Sequence, residues 1–288
     1  MRPGKPSMIG KLLAGATLLL IAVAAVSAAA WAGSLRTASP ITVPSNQLIS
    51  GGKLTFCTDF PAPPQEMYTT SGKPEGSDID TGNAVAAQFG LKPVYVNTNF
   101  DTIIEALTTG KCDLIITGIF ITPPRKKQID FVPYFTSGQS LLVRKGNPQH
   151  LTDSYTSLCG KTIAAQIGDV ELMTAQTYSK QCKKAGKPAI NILASTKVDT
   201  ALEQVTTGRA AAFFYDSPLV AYYSHLQPKE FQAAAPPIGI VLEGIGVTKA
   251  HKALEQDVVL AMKRIEANGT YKKILAKWGL QNTKIPKP

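Results

Sequence analysis

Two residues of opposite charge carry the chemistry that this chain's spacing suggests. The first is Arg125, within Asp113–Tyr134, DLIITGIFITPPRKKQIDFVPY. Here the apolar run Leu114-Ile115-Ile116 predicts a buried strand. It ends in Thr117-Gly118, and a short loop then carries Thr122-Pro123-Pro124-Arg125. Parallel strands of α/β sheets bind ligands at their C-terminal ends, so this loop hands Arg125 to a cleft. A guanidinium is a planar fork of donors that matches a carboxylate and keeps its charge. The second is Asp216, which follows the apolar strand pattern Ala211–Tyr215 and precedes Ser217-Pro218. It can receive an ammonium group; its other reading is a helix N-cap ahead of Pro218. A cation for a carboxylate and an anion for an ammonium describe a site for a small zwitterion. A ligand bridging the two favours a closed cleft, because only closure satisfies both of its ends.

The elements that must position these groups can be read from periodicity. Lys53–Asp59, Pro93–Asn97 and Leu114–Thr117 read as strands. Helices lie between them over Gly76–Gly90 and Asp101–Thr109. This β-α-β-α-β order predicts a parallel sheet covered by helices. The order recurs, with strands at Thr162–Gln166, Ala189–Leu193 and Ala211–Tyr215 and helices at Val170–Ala185 and Lys197–Thr207. The copies match in detail. Asp101-Thr102, Glu105 and Thr108-Thr109-Gly110 have counterparts in Asp199-Thr200, Glu203 and Thr206-Thr207-Gly208. Two similar α/β lobes are the expected result. The chain crosses back near Leu242-Glu243-Gly244, and Leu254–Trp278 forms helices broken at Asn268-Gly269-Thr270. Two lobes joined by two crossings form a hinged cleft.

Composition bounds the setting. The chain has 288 residues, 44% of them hydrophobic, enough for one large domain or two moderate ones. Residues 1–32 contain Arg2, Lys5 and Lys11 and no acidic residue, then a Leu/Ala/Val run ending in small residues. This is the pattern of a secretory leader, with Ala30-Trp31-Ala32 before Gly33 as one candidate cleavage site and Ser27-Ala28 as another; an uncleaved membrane anchor is the other reading. No cysteine lies near the cleavage site, which argues against a lipid-anchored form. Residues 33–50 are rich in Ser, Thr, Pro and Asn and read as an unstructured lead-in. The net charge of +10 comes from scattered lysines without interleaved aromatics, a solvated basic surface and not a nucleic-acid footprint.

An exported chain can form disulfides. Cys159 and Cys182 flank one strand and one helix, and a bridge there stabilises by about 3 kcal/mol in the chain-entropy model. For Cys57 and Cys112, counting both as strand residues gives a stagger of about 13 Å, beyond the Cα reach of about 7 Å. These two are expected as free thiols. There is no C-x-x-C, no Walker A sequence, and no metal spacing among His150, His225 and His251. No cofactor or metal is implied.

The Arg125 segment, and the pattern along nearly the whole chain, closely resemble the polar amino-acid family of bacterial solute-binding proteins, the receptors of ABC importers. The resemblance implies the two-lobed type II periplasmic-binding fold: residues 51–137 and 243–288 in lobe 1, and 138–242 in lobe 2. It implies a monomeric periplasmic receptor that delivers a zwitterion, most simply an amino acid, to an inner-membrane permease. It also implies a ligand site. Asp59 looks like the acidic residue after the first strand. Phe60 stands in for a tyrosine that the family places at the position of Ala62. Phe100 resembles a ligand wall, with an ordinary core role as its other reading. Gly118 resembles a backbone contact, and Thr122 a partner that shapes the loop with Arg125. Phe120 stands where relatives have a Ser or Thr. In lobe 2, Gln166-Ile167-Gly168-Asp169-Val170-Glu171 departs from the family's Gly-Thr-Thr. Gln166 and Gly168 keep a site position, and Asp169 either faces the ligand or caps the next helix.

These departures leave betaine-like, ectoine-like and opine ligands open. A rival class is an enzyme on the same fold resembling cyclohexadienyl dehydratase, which needs a general acid in the cleft; Asp169 or Glu171 could supply it. A signalling sensor domain needs a following transmembrane helix and kinase module, and the chain ends at Pro288.

Overall fold

A computed structural model describes residues 39–281. The leader, expected over residues 1–32, lies outside the described residues. In chain order the first part comprises β1 (Lys53–Thr58), β2 (Met67–Tyr68), β3 (Pro74–Glu75), α1 (Ser77–Phe89), β4 (Lys92–Asn97), α2 (Ile103–Thr108), β5 (Leu114–Ile115) and α3 (Pro123–Gln128). The long β6 (Ile129–Arg144) follows. Next come α4 (Tyr155–Leu158), β7 (Thr162–Gln166), α5 (Val170–Lys184), β8 (Asn191–Ser195), α6 (Val198–Thr206), β9 (Ala212–Asp216), α7 (Ser217–Leu226) and β10 (Phe231–Ala233). The chain returns through β11 (Ile238–Thr248) to α8 (Lys252–Ala267) and α9 (Thr270–Lys277).

The main strands lie in the order β4-β1-β5-β11-β6-β9-β7-β8. At one end β4, β1 and β5 are parallel; at the other β8, β7 and β9 are parallel. Between them β11 and β6 run antiparallel to each other. β11 also pairs with β5, and β6 with β9. β11 borders one parallel set and β6 the other, and together they carry the chain between the lobes. The type II architecture expected from the sequence is present.

Burial explains the strand composition. β1 is buried from Leu54 to Thr58 and β9 along its whole length, because helices cover both faces of a parallel sheet. In lobe 1, Leu54, Phe56 and Leu114 pack against Val85 of α1 and Val258, Met262 and Tyr271 of α8 and α9. The opposite face carries Ile103 and Leu107 of α2. In lobe 2, α6 packs Val198, Ala201 and Val205 on Ala164 and Phe213. The internal repeat survives in three dimensions. Gly110 and Gly208 stop α2 and α6 at φ 77° and 76°. The hydroxyls of Thr109 and Thr207 donate to the carbonyls of Glu105 and Glu203 at 2.7 and 2.8 Å.

Two expectations are corrected. Residues 40–50 are not a loose lead-in. Ile41 is buried in the lobe 1 core with Val43 and Leu48 packed beside it, and Ser45–Gln47 forms a 3-10 turn. Their apolar side chains outweigh the Ser/Pro/Asn composition. Cys57 and Cys112 are not thiols but a disulfide, with Cα atoms 5.6 Å apart. The register pairs Cys57 with Ile115, and Cys112 lies before β5, in the turn coming off α2. The chain there is folded back over the face that Cys57 presents, so counting Cys112 as extended strand overstated the separation. Cys159 and Cys182 are bridged as expected, also at 5.6 Å.

Thiol titration of denatured, unreduced protein is expected to find none of the four cysteines free. Replacing Cys57 and Cys112 by serine removes a cross-link spanning 55 residues and is expected to cost about 4 kcal/mol of stability, measured by denaturant unfolding. Two titratable thiols in the wild type would contradict the pairing.

Candidate functional site

The ends of β1 and β5 in lobe 1 face the ends of β7 and β9 in lobe 2. Asp59 follows β1 and is 3% exposed. Its Oδ1 pairs with Lys197 Nζ at 3.0 Å and its Oδ2 accepts from Gln166 Nε2 at 2.5 Å. Both partners come from lobe 2, so Asp59 ties the lobes together directly. Burial raises its pKa, while Lys197 and Gln166 hold it down.

Arg125 lies in α3, which begins after Thr122. The Thr122 hydroxyl caps this helix, accepting from Arg125 N at 3.4 Å. The Arg125 guanidinium is buried, with Nη1 donating to Phe120 O at 2.8 Å and Nη2 to Gly168 O at 3.1 Å. Its Nη2 is 3.9 Å from Asp169. The Phe100 ring lies 5.2 Å from the guanidinium carbon, a cation–π contact. Burial lowers the Arg125 pKa, while Asp169, Glu171 and Asp216 raise it. Phe120 is buried and bridges to Glu243. Phe60 is also buried, stacked on Tyr68 with centroids 4.4 Å apart. Gly118 adopts φ 55° and donates its N–H to Asp78 at 2.9 Å.

In lobe 2, Gly168 has φ 88°, and a Cβ there would sit 2.8 Å from Asp101 Cα of lobe 1. Only glycine permits this approach. Asp169 is the N-cap of α5, accepting from Val170 N at 2.8 Å. Asp216 occupies the N-cap position of α7 but makes no side-chain capping bond. It is 4% exposed, and its Oδ1 has no hydrogen-bond partner. Carboxylate oxygens of Asp169, Glu171 and Asp216 lie within 4.8 Å of one another. Burial and mutual repulsion push the pKa values of Glu171 and Asp216 well up. Burial also raises Asp169, with Arg125 opposing it.

The structure brings some of the eleven residues singled out in the sequence together across the lobes, Arg125 with Gly168 and Asp169, and Asp59 with Gln166. Asp59, Phe60, Phe100, Gly118, Phe120, Thr122 and Arg125 come from lobe 1, and Gln166, Gly168, Asp169 and Asp216 from lobe 2. Phe60, Gly118 and Thr122 make contacts within lobe 1. Several participants were missed. Lys197 stands just before α6, where a cation is unfavourable to the helix dipole; that misfit was its signal. Gln65 donates to Glu243 at 2.6 Å, and Thr117 to Glu66 at 2.6 Å. Glu243 is the one charge in the apolar strand β11, which marked it as unusual. Asp78 accepts from Tyr134 Oη at 2.6 Å, and its pKa is raised to about 6 by burial. Glu66 and Glu243 are also pushed well up, by burial first and by negative neighbours that include Asp78.

Two α/β lobes, a two-strand connection and a junction bearing a buried guanidinium and buried carboxylates define a receptor of the type II periplasmic-binding architecture. The sequence pattern of the bacterial extracellular solute-binding proteins, family 3, matches residues 54–281, and this chain belongs to that family. It is 27% identical to ABC transporter arginine-binding protein 1 of Escherichia coli K12 over 239 residues, covering 78% of this chain and 90% of that protein. Among solved structures it is similar to an ancestral arginine-binding protein bound to arginine, with 33% identity and TM-score 0.71 over 79% of this chain and 98% of the other. It is likewise similar to the ancestral amino acid-binding protein AncCDT-1, a precursor of cyclohexadienyl dehydratase. That match has 32% identity and TM-score 0.71 over 79% and 95% of the two chains. Among the described residues no helix is long and apolar enough to cross a membrane.

The buried carboxyls set the sign of the pH dependence. Each has a folded pKa above its unfolded value, so the native state holds protons that the unfolded chain has released. Stability then falls as pH rises through that interval. For Asp78 the interval runs from 3.8 to about 6, and Glu66, Glu171, Asp216 and Glu243 shift in the same direction. The melting temperature of ligand-free protein is expected to drop between about pH 4 and about pH 6, the window of Asp78, measured by calorimetry. A rise over that window would contradict these assignments.

Proposed function

We propose that this protein captures a small amino-acid-like zwitterion between its lobes and delivers it to the permease of an ABC importer. The ligand carboxylate meets Arg125 beside the N-terminal end of α5, whose first N–H is held by Asp169. The ligand ammonium meets Asp216. One observation carries this reading: Asp216 is a buried carboxylate with an unpartnered oxygen, at a strand end in the lobe opposite Arg125. A buried acceptor without a donor is costly, and an ammonium supplies one. The names of the relatives, which bind arginine or other amino acids, support the same class. Residues 1–32 act as a cleaved export leader, placing a monomeric receptor in the periplasm.

The remaining site positions have graded roles. Phe100 and Phe120 form apolar walls, with Phe60 behind them. Gly118 and Thr122 shape the loop that carries Arg125. Asp59 and Gln166 form the lobe-to-lobe contact, and Gly168 permits close approach of the lobes. An enzyme reading draws on the likeness to a dehydratase precursor and on the buried Glu171 carboxyl, a group able to donate a proton. The protein binds without catalysis, so no turnover of prephenate or arogenate is expected.

The test is isothermal titration with protein stripped of carried-over ligand. Arg125→Ala is expected to abolish detectable binding while the circular dichroism spectrum is unchanged. Asp216→Asn is expected to weaken binding at least about 30-fold, the lower range for unpairing a buried charge. Wild-type affinity in either variant, or turnover of prephenate, would reject the reading.

A further inference from the structure

We infer that lobe 2 carries a second binding site, for a phosphate-class anion, on the face away from the cleft. It lies between the starts of β7 and β9 and the end of β6. A cavity of about 270 Å³ opens there, and its walls include Arg144, Lys161, Thr162, Gly208, Arg209 and Ala211. Arg144 ends β6, Lys161 immediately precedes β7, and Arg209 lies between α6 and β9. None of the lining residues is acidic. Among the described residues, Arg144, Lys161 and Arg209 take part in no ion pair. The C-terminal end of α6 offsets only about half an elementary charge, so most of this positive charge has no counter-charge. The place is separate from the ligand cleft. Ala212 and Asp216 stand at opposite ends of β9, about 13 Å apart along an extended strand.

The internal repeat identifies what fills this position in the other lobe. The registers pair Phe56 with Leu114 in lobe 1 and Ile163 with Ala212 in lobe 2. Thr55 and Asp113 therefore correspond to Thr162 and Ala211. The backbone bond is reproduced: Asp113 N donates to Thr55 O, and Ala211 N to Thr162 O, each at 2.8 Å. In lobe 1 the Asp113 carboxylate then accepts from Ile49 N and Thr55 N, both at 2.7 Å. In lobe 2 Ala211 supplies no carboxylate, and the corresponding space belongs to the cavity. Within a strand the N–H and C=O of one residue point the same way, so the Thr162 N–H faces this edge as the Thr55 N–H does. Lobe 1 fills the position with its own anion; lobe 2 surrounds it with cations and takes an anion from solution.

Charge and donor geometry select the occupant. A phosphate group carries about −1.5 to −2 charges near neutral pH and presents several strong acceptor oxygens. One oxygen can accept from Thr162 N while others meet the guanidinium forks of Arg144 and Arg209. Gly208 admits the first of these, since a Cβ there would lie 3.0 Å from Arg144 Nη1. Lys161 Nζ donates to Gln149 Oε1 at 2.8 Å, which fixes a further positive charge beside the cavity. Chloride or a single carboxylate matches neither this charge nor this number of donors.

The test titrates the whole protein with inorganic phosphate by calorimetry, at constant ionic strength, beside chloride and acetate. Saturable binding is expected, at least about tenfold tighter for phosphate than for either monovalent anion. Combining Arg144→Gln with Arg209→Gln is expected to weaken phosphate at least about tenfold with an unchanged circular dichroism spectrum. Ala211→Asp supplies the carboxylate that lobe 1 has; it is expected to abolish phosphate binding without lowering the melting temperature of phosphate-free protein. Arg125→Ala is expected to bind phosphate as the wild type does, which separates this site from the cleft and its test from that of the receptor reading. Unsaturable binding, an equal response to chloride, wild-type affinity in the double variant or in Ala211→Asp, or loss of binding in Arg125→Ala would each overturn the inference. Should Ala211→Asp not fold, the double variant decides, because both of its arginines are exposed.

Discussion

The antiparallel pairing of β6 with β11 is the constraint on which the site depends. The pairing runs from Ile129/Thr248 at one end to Gln139/Ile238 at the other. Its two outer edges complete separate parallel sheets, through β5 on one side and β9 on the other. Each lobe thus directs the C-terminal ends of its strands at the other. Residues far apart in sequence meet there, as Asp59 and Lys197 do across 138 positions. Irregularities in the β6/β11 register fall between Ile238 and Val241 and between Glu243 and Gly244. Glu243, beside the second of these, reaches Gln65 and Phe120 of the first lobe.

That geometry concentrates negative charge. The chain as a whole is basic, yet its interior at the junction holds Asp59, Glu66, Asp78, Asp169, Glu171, Asp216 and Glu243. Ionised carboxylates this close in a low-dielectric interior oppose one another. Three compensations are visible. Asp59 has a lysine and an amide. Asp78 has a tyrosine hydroxyl and a backbone N–H. Glu66 and Glu243 have one hydrogen bond each. In the Asp169–Glu171–Asp216 group, Asp169 accepts from Val170 N and lies 3.9 Å from Arg125, and burial holds the pKa values of Glu171 and Asp216 well up. Specificity on a widely shared fold is set in this way, by few substitutions at fixed strand ends.

Much of the fold was legible. Apolar runs bounded by Gly and Asn located the strands, and periodicity located the helices. The repeat across the lobes proved literal, down to matching Thr-to-carbonyl bonds. Boundaries moved by a residue or two, as at β5, which ends at Ile115 because Gly118 turns the chain to φ 55°. Asp216 was legible because it ends an apolar strand, and Arg125 because it follows Thr122-Pro123-Pro124 in the segment after one. Lys197, Gln65 and Glu66 were not, because their roles depend on which lobe lies opposite.

The sequence by itself determined the local elements, the order that makes two α/β lobes, and the charged residues placed at strand ends. These follow from side-chain size, polarity and spacing along a few neighbouring residues. Only the tertiary structure decided the Cys57–Cys112 bridge, the packing of residues 40–50 on lobe 1 and the pairing of Asp59 with Lys197 and Gln166. It alone brought Asp169, Glu171 and Asp216 to within 4.8 Å. Those contacts depend on distances between segments separated by tens to more than a hundred residues. Such distances are set by sheet register and strand crossing, which no local pattern encodes.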